Sequence, residues 1–295
     1  MYQISCESTV DLPDSYISFR NIPVLRYAYA VDGCLYEDDM GRDPDSMARF
    51  YGFFAEGKVP TTSQLTACQY EAFFEPLLMR GDLIHVAFSS GLTGSINGAQ
   101  VAARALREKY PNRRLTIIDS LCASGGYGLL AEGAADLRDR GAGMEEVEAW
   151  LLRNRLRVNH QFFSTDLRYY RRTGRVSGAA AAIGSVLGIC PIMRMDENGK
   201  IVAYDKARGK TQAMRRTLDI ALARAENGAE YAGKFWINHS NCPEDAEKLM
   251  RMAKERFPKA SEFRIFDIGV VIGSHSGPNT IAVYFFGEER TARNP

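Results

Sequence analysis

The run Asp82-Leu-Ile-His-Val-Ala-Phe-Ser-Ser-Gly-Leu-Thr-Gly-Ser-Ile-Asn-Gly-Ala99 passes from apolar residues to a loop of hydroxyls and glycines, then into a helical pattern. Leu83–Phe88 reads as a buried strand and Ile96–Lys109 as the helix that follows. Strand–loop–helix units of this kind build α/β folds, in which ligands sit beyond the C-terminal ends of parallel strands. The first half repeats the alternation, with strands predicted at Tyr2–Cys6, Val24–Val31 and Leu115–Ile118. Its helices are predicted at Ser46–Ala55, Thr66–Met79, Cys122–Arg138 and Met144–Arg155.

Past residue 158 the pattern changes. Gln161–Ser164, Phe235–Asn238, Phe263–Ile268 and Ile281–Phe286 read as strands, Gln212–Ala225 and Ala246–Arg256 as helices. Cys190–Met195 and Lys200–Tyr204 flank Asn198-Gly199, the signature of an antiparallel hairpin. The expectation is α/β, with two domains. Residues 1–158 carry a mainly parallel sheet and hydroxyl-rich loops; residues 159–295 carry a mixed sheet, an arginine cluster and His275.

With 295 residues, 37 Lys+Arg against 36 Asp+Glu and a net charge of +1, the chain has no global attraction for nucleic acid or anionic membrane. Neither a signal-like N-terminus nor an 18-residue apolar run is seen, so a cytoplasmic protein with at most transient membrane contact is expected. The six cysteines are scattered and read as free thiols. The four histidines lack metal-ligand spacing, and no metal is expected.

The loop Ser89-Ser-Gly-Leu-Thr-Gly-Ser95 offers hydroxyl donors and helix-start amides to an anion, with Ser95 as the alternative helix cap. Pro60-Thr-Thr-Ser-Gln64 reads by itself as a cap for the next helix. Ile272-Gly-Ser-His-Ser-Gly-Pro278 sets His275 in an accessible loop, able to titrate near neutral pH. Arg168, Arg171, Arg172 and Arg175 form a solvated face or an anion or partner site, followed by Lys206, Arg208 and Lys210. The small-residue run Gly178–Gly188 reads as a closely packed helix or the wall of a narrow apolar channel. Three familiar motifs fail. Gly228–Lys234 has G-x-x-x-x-G-K spacing, but Phe235 follows in place of Ser or Thr, and neither G-x-S-x-G nor a strand-borne G-x-G-x-x-G occurs.

Taken in order, Glu7-Ser-Thr9, Pro60–Gln64, Ser89–Ser95, Ile118-Asp-Ser120, Tyr170–Ser177, Ile183–Ile192, Lys206-Ala-Arg-Gly209 and Gly273–Pro278 resemble the DegV family of bacterial fatty-acid-binding proteins. Glu7 stands where that family usually has Asp, Thr93 where it has Ser, and Thr173 and Asn279 where it has Gly. The resemblance implies a long-chain fatty acid buried between the two domains. Its carboxylate would be presented to an ATP-dependent fatty acid kinase protein for acyl phosphate formation and phospholipid synthesis. It further implies carboxylate contacts from Thr62, Ser90, Thr93, His275 and Arg208, and partner docking by Arg172 and Arg175. No catalytic residue and no cofactor other than the bound lipid are implied. The alternative from the residues themselves is a small-molecule phosphotransferase or phosphatase using Ser89–Ser95 as its anion cradle. A nucleic-acid regulator has only the arginine cluster in its favour.

Overall fold

A computed structural model describes residues 2–176 and 188–291. The helix expected over Gly178–Gly188 lies, apart from Gly188, outside them. Among the described residues the strands form three sheets. The first is parallel: β1 (Tyr2–Glu7) lies between β2 (Val24–Leu25) and β6 (Asp82–Ala87), and β7 (Leu115–Asp119) extends it beyond β6. A small antiparallel sheet places β3 (Ala28–Val31) between β4 (Cys34–Glu37) and β5 (Thr61–Thr62). The third is mixed and six-stranded, in the order β10-β9-β8-β13-β11-β12, with β8 at Val158–Ser164, β9 at Ile189–Met195, β10 at Ile201–Arg208, β11 at Lys234–His239, β12 at Glu262–Asp267 and β13 at Thr280–Phe286. β9 and β10 form the expected hairpin, Met195 pairing with Ile201 around Gly199 at φ +67°.

The predicted strand Val24–Val31 is in fact two, belonging to different sheets. The chain breaks at Arg26-Tyr27, where the Tyr27 N–H donates to Ser8 Oγ and its carbonyl accepts from Asp38 N. Pro60–Gln64 is no cap either. Thr61 and Thr62 pair with β3, and the cap of the following helix is Thr66, in a capping box with Gln69.

Helices α1 (Asp14–Phe19), α2 (Ser46–Ala55), α3 (Ala67–Arg80), α4 (Ser95–Lys109), α5 (Ser124–Asp139) and α6 (Met144–Asn154) precede β8. After it come α7 (Arg168–Arg172), α8 (Lys210–Arg224), α9 (Pro243–Arg256) and α10 (Val270–Ser276). The core is layered. α3 and α4 bury Tyr70, Phe74, Ala99 and Leu106 with Leu83 and Leu115 of the parallel sheet. α8 and α9 bury Leu218 and Leu249 with Phe235 and Phe285 of the mixed sheet. Between the sheets runs α5, whose Leu130, Ala131 and Ala134 share one cluster with Ile4 and Val86 on one side and Trp236 and Ala282 on the other. Its glycines permit that approach: a Cβ on Gly126 would stand 2.2 Å from His160 Nε2. No helix among the described residues is long and apolar enough to cross a membrane.

Candidate functional site

The C-terminal end of the parallel sheet faces β8 and β13 across a cavity with about 860 Å3 of space free of protein atoms, open solvent at its entrance included. Phe162 and Ala282, paired neighbours on β8 and β13, lie on its floor, with Phe88, Leu92, Met195 and Ile201 among the other apolar walls. Polar groups enter from many separate pieces of chain, five of which matter most here. Thr62 comes from β5, Thr93 from the loop before α4, His275 from α10, Arg175 from the turn after α7, and Tyr27 from the break between β2 and β3.

Thr62 Oγ1 and His275 Nε2 are 2.8 Å apart, while His275 Nδ1 is buried without a partner. A hydroxyl and a neutral imidazole carry two protons between them. Their mutual hydrogen bond uses one, so the pair retains one proton to offer a ligand. Burial, reinforced by Arg175 and Arg172, pushes the His275 pKa down to about 4, so the ring is neutral at pH 7. This corrects the accessible, near-neutral loop histidine expected from the sequence. His275 occupies the last turn of α10, where Ser274 Oγ donates to Val270 O and Gly277 at φ +65° ends the helix against the Tyr169 ring.

The loop after β6 divides in two. In its back half Thr93 Oγ1 accepts the Ser95 N–H at 3.2 Å and lies 3.0 Å from Ser95 Oγ, which accepts the Leu65 N–H. Ser95 is thus inside the helix rather than its cap, which is Gly94. When Ser95 donates to Thr93, both Thr93 lone pairs are filled and the Thr93 proton is left for the cavity. The front half is closed. Ser89 Oγ donates to Gly199 O, the Gly91 N–H turns back onto Ser89 Oγ, and a Cβ on Gly91 would stand 2.4 Å from both Asn198 O and Gly199 O. Carbonyl oxygens of the β9–β10 turn therefore occupy the place where an anion cradle needs donors, which weighs against the phosphotransferase reading.

The structure brings Thr62, Thr93, His275 and Arg175 to one cavity and leaves Ser90 and Arg208 outside its walls. Ser90 is exposed because Ser89 takes the inward position, and the Ser90 N–H is held by Asp119 Oδ1. Arg208 is exposed at the end of β10, the edge strand of the mixed sheet. Arg172 reaches the Pro60 and Ser274 carbonyls at 3.4 Å and so braces the two segments that carry Thr62 and His275. Tyr27 escaped the sequence reading, since nothing in an apolar stretch marks which aromatic will turn toward a ligand. Among the described residues no three His, Cys, Asp or Glu side chains gather as a metal site.

Residues 1–288 match the family described as uncharacterised protein, DegV family. A DegV domain-containing protein of Clostridium perfringens is 34% identical over 290 residues, covering 98% of each chain. Among solved structures, a DegV family protein from Thermus thermophilus reported for its fatty acid binding aligns with TM-score 0.86 at 25% identity, over 97% of this chain and 99% of that one. The Streptococcus pneumoniae Fatty Acid Kinase (Fak) B3 protein, loaded with linoleic acid, shares the fold with TM-score 0.83 at 21% identity, over 98% of this chain and 100% of that one. Motif order, fold and relatives agree: this chain belongs to the DegV family.

Proposed function

We propose that the chain binds one long-chain fatty acid in this cavity, between domains of residues 1–158 and 159–295, and presents its carboxylate to an ATP-dependent kinase protein that forms the acyl phosphate. The observation that carries the reading is an apolar chamber whose mouth gathers neutral donors with unspent hydrogen-bonding capacity, the Thr62–His275 pair above all. The fatty acid binding of the Thermus thermophilus relative supports it, and the Fatty Acid Kinase name of the pneumococcal neighbour supports the kinase step.

Each buried methylene contributes ~0.8 kcal/mol, so a sixteen-carbon tail gains on the order of 10 kcal/mol before ordering costs. A carboxylate left bare at the mouth would offset much of that gain. Thr62, Thr93 and His275 hydrogen-bond it without a permanent ion pair, which leaves one oxygen free to attack a phosphoryl donor. Arg175 adds a positive charge near the imidazole, and Arg172 and Arg175 form the face offered to the kinase. In this account the chain contributes no catalytic residue and needs no cofactor.

The test is a titration of delipidated protein with hexadecanoic acid, followed by incubation with ATP and Mg2+. The proposal expects one-to-one binding and no ADP from the chain alone. Failure to bind the acid, or ATP turnover by the chain itself, would contradict it.

A further inference from the structure

Tyr27 is only 3% exposed, lines the cavity, and its hydroxyl makes no hydrogen bond. A buried phenol without a partner calls for an explanation. The hydroxyls of Thr93, Ser95 and Tyr70 lie close enough to offset in part the rise that burial gives its pKa, yet none of them reaches full hydrogen-bond geometry with it. Tyr27 is also firmly aimed, because its backbone N–H and C=O are both tied, to Ser8 Oγ and to Asp38 N.

The charged group that acts on Tyr27 is Glu7, itself fully buried, and its needs are already met. Tyr70 OH donates to Oε1, the Phe88 N–H donates to Oε2 at 2.7 Å, and His85 Nε2 lies 3.3 Å from Oε1. The Ser5 hydroxyl in turn holds His85 Nδ1 at 2.9 Å. Tyr70 therefore occupies the position on Glu7 that Tyr27 would otherwise seek.

We propose that the Tyr27 hydroxyl is a further donor to the ligand's carboxylate, and that Tyr70 is a positioning residue that keeps it available by saturating Glu7. This rests on the fatty-acid reading above. Tyr27 stands beside Thr93, so the two hydroxyls serve the same end of the ligand while the Thr62–His275 pair approaches from β5 and α10. Since the phenol has no hydrogen-bond partner within the protein, its removal is expected to leave the free protein no less stable.

Competition against a fluorescent fatty-acid probe, using tetradecanoic acid and tetradecan-1-ol, tests this on wild type, Tyr27→Phe and Tyr70→Phe. A hydrogen bond to a charged acceptor is worth more than one to a neutral oxygen. Tyr27→Phe is therefore expected to weaken the acid about tenfold, to weaken the alcohol much less, and to melt no lower than wild type without ligand. Tyr70→Phe is expected to weaken the acid several-fold, as Tyr27 turns toward Glu7. Unchanged acid affinity in Tyr27→Phe, an equal loss for acid and alcohol, or a lower melting temperature would each overturn the role of Tyr27. Unchanged acid affinity in Tyr70→Phe would overturn the positioning role. A wild type that binds neither ligand would instead defeat the fatty-acid reading itself.

Discussion

Two of the buried polar clusters among the described residues follow opposite rules. At Glu132 on α5, one carboxylate oxygen receives Tyr16 OH at 2.8 Å, Arg20 Nη1 at 2.5 Å and Lys234 Nζ at 3.0 Å, and Asp136 shares both cations. That cluster ties α1, α5 and β11 together with permanent charges. At the cavity mouth, Tyr27, Thr62, Thr93 and His275 are neutral at pH 7 and leave protons or lone pairs unspent. Paired charges build structure here, although Glu132 Oε2 is left without a hydrogen bond, whereas neutral donors with unspent capacity leave room for a ligand to finish the network.

The largest expected effect breaks the first cluster. Glu132→Ala removes the more buried of the two carboxylates that Arg20 and Lys234 share and leaves them Asp136, and a loss of about 3 kcal/mol is expected in urea denaturation. Bound-lipid stoichiometry should persist in the fraction that folds; a loss under about 0.5 kcal/mol would show the network to be mere surface pairing. Next, Gly126→Ala forces a methyl into the His160 ring between α5 and β8. Overpacking of this kind costs about 1–3 kcal/mol, readable as a lower Tm.

A smaller free-energy change with a sharper functional reading comes from Thr62→Ala combined with Thr93→Ala. Fatty-acid affinity should fall tenfold or more while the protein stays folded, since the internal hydrogen bonds lost, those linking Thr93 with Ser95 and Thr62 with His275, cost only about 1 kcal/mol each. Unchanged affinity would remove both residues from the site. Arg172→Glu should impair acyl phosphate formation with the kinase far more than fatty-acid binding, which loses only the bracing of the Pro60 and Ser274 carbonyls; equal loss of both would place Arg172 in the lipid site.

A last test is pH dependence. The folded-state pKa of His275 lies near 4, below the ~6.5 of an unfolded histidine. The unfolded chain therefore takes up its proton first on acidification. The His275 contribution is present above pH ~6.5 and is lost as pH falls toward about 4. Asp38, pushed up to about 6 by burial, runs in the opposite sense. The difference between wild type and His275→Asn should therefore isolate the histidine, and a difference that does not change between pH 7 and pH 4 would contradict the neutral buried ring.

Much of the frame was legible in the residues. The strand and helix around Ser89–Ser95 came from an uninterrupted apolar run meeting a 3.6-residue pattern, and the β9–β10 hairpin from Asn198-Gly199. Less could be read where elements are too short to carry a period. β5 has two residues, and α10 has the composition Val-Val-Ile-Gly-Ser-His-Ser, whose helix depends on packing rather than propensity. Thr62 and Thr93 were recognised in the sequence as hydroxyls of short motifs, but the burial of His275 and the inward turn of Tyr27 exist only in the folded chain. Asn279 illustrates the reverse: it stands at φ +67°, and asparagine is among the few residues other than glycine that tolerate that backbone.

The central claim, a cavity finished by a lipid carboxylate, is tested most directly by mass spectrometry of the purified protein, first native and then after solvent extraction. The account predicts one long-chain fatty acid per chain, released by the solvent. A protein that carries none, and takes up none when fatty acid is supplied, would contradict it.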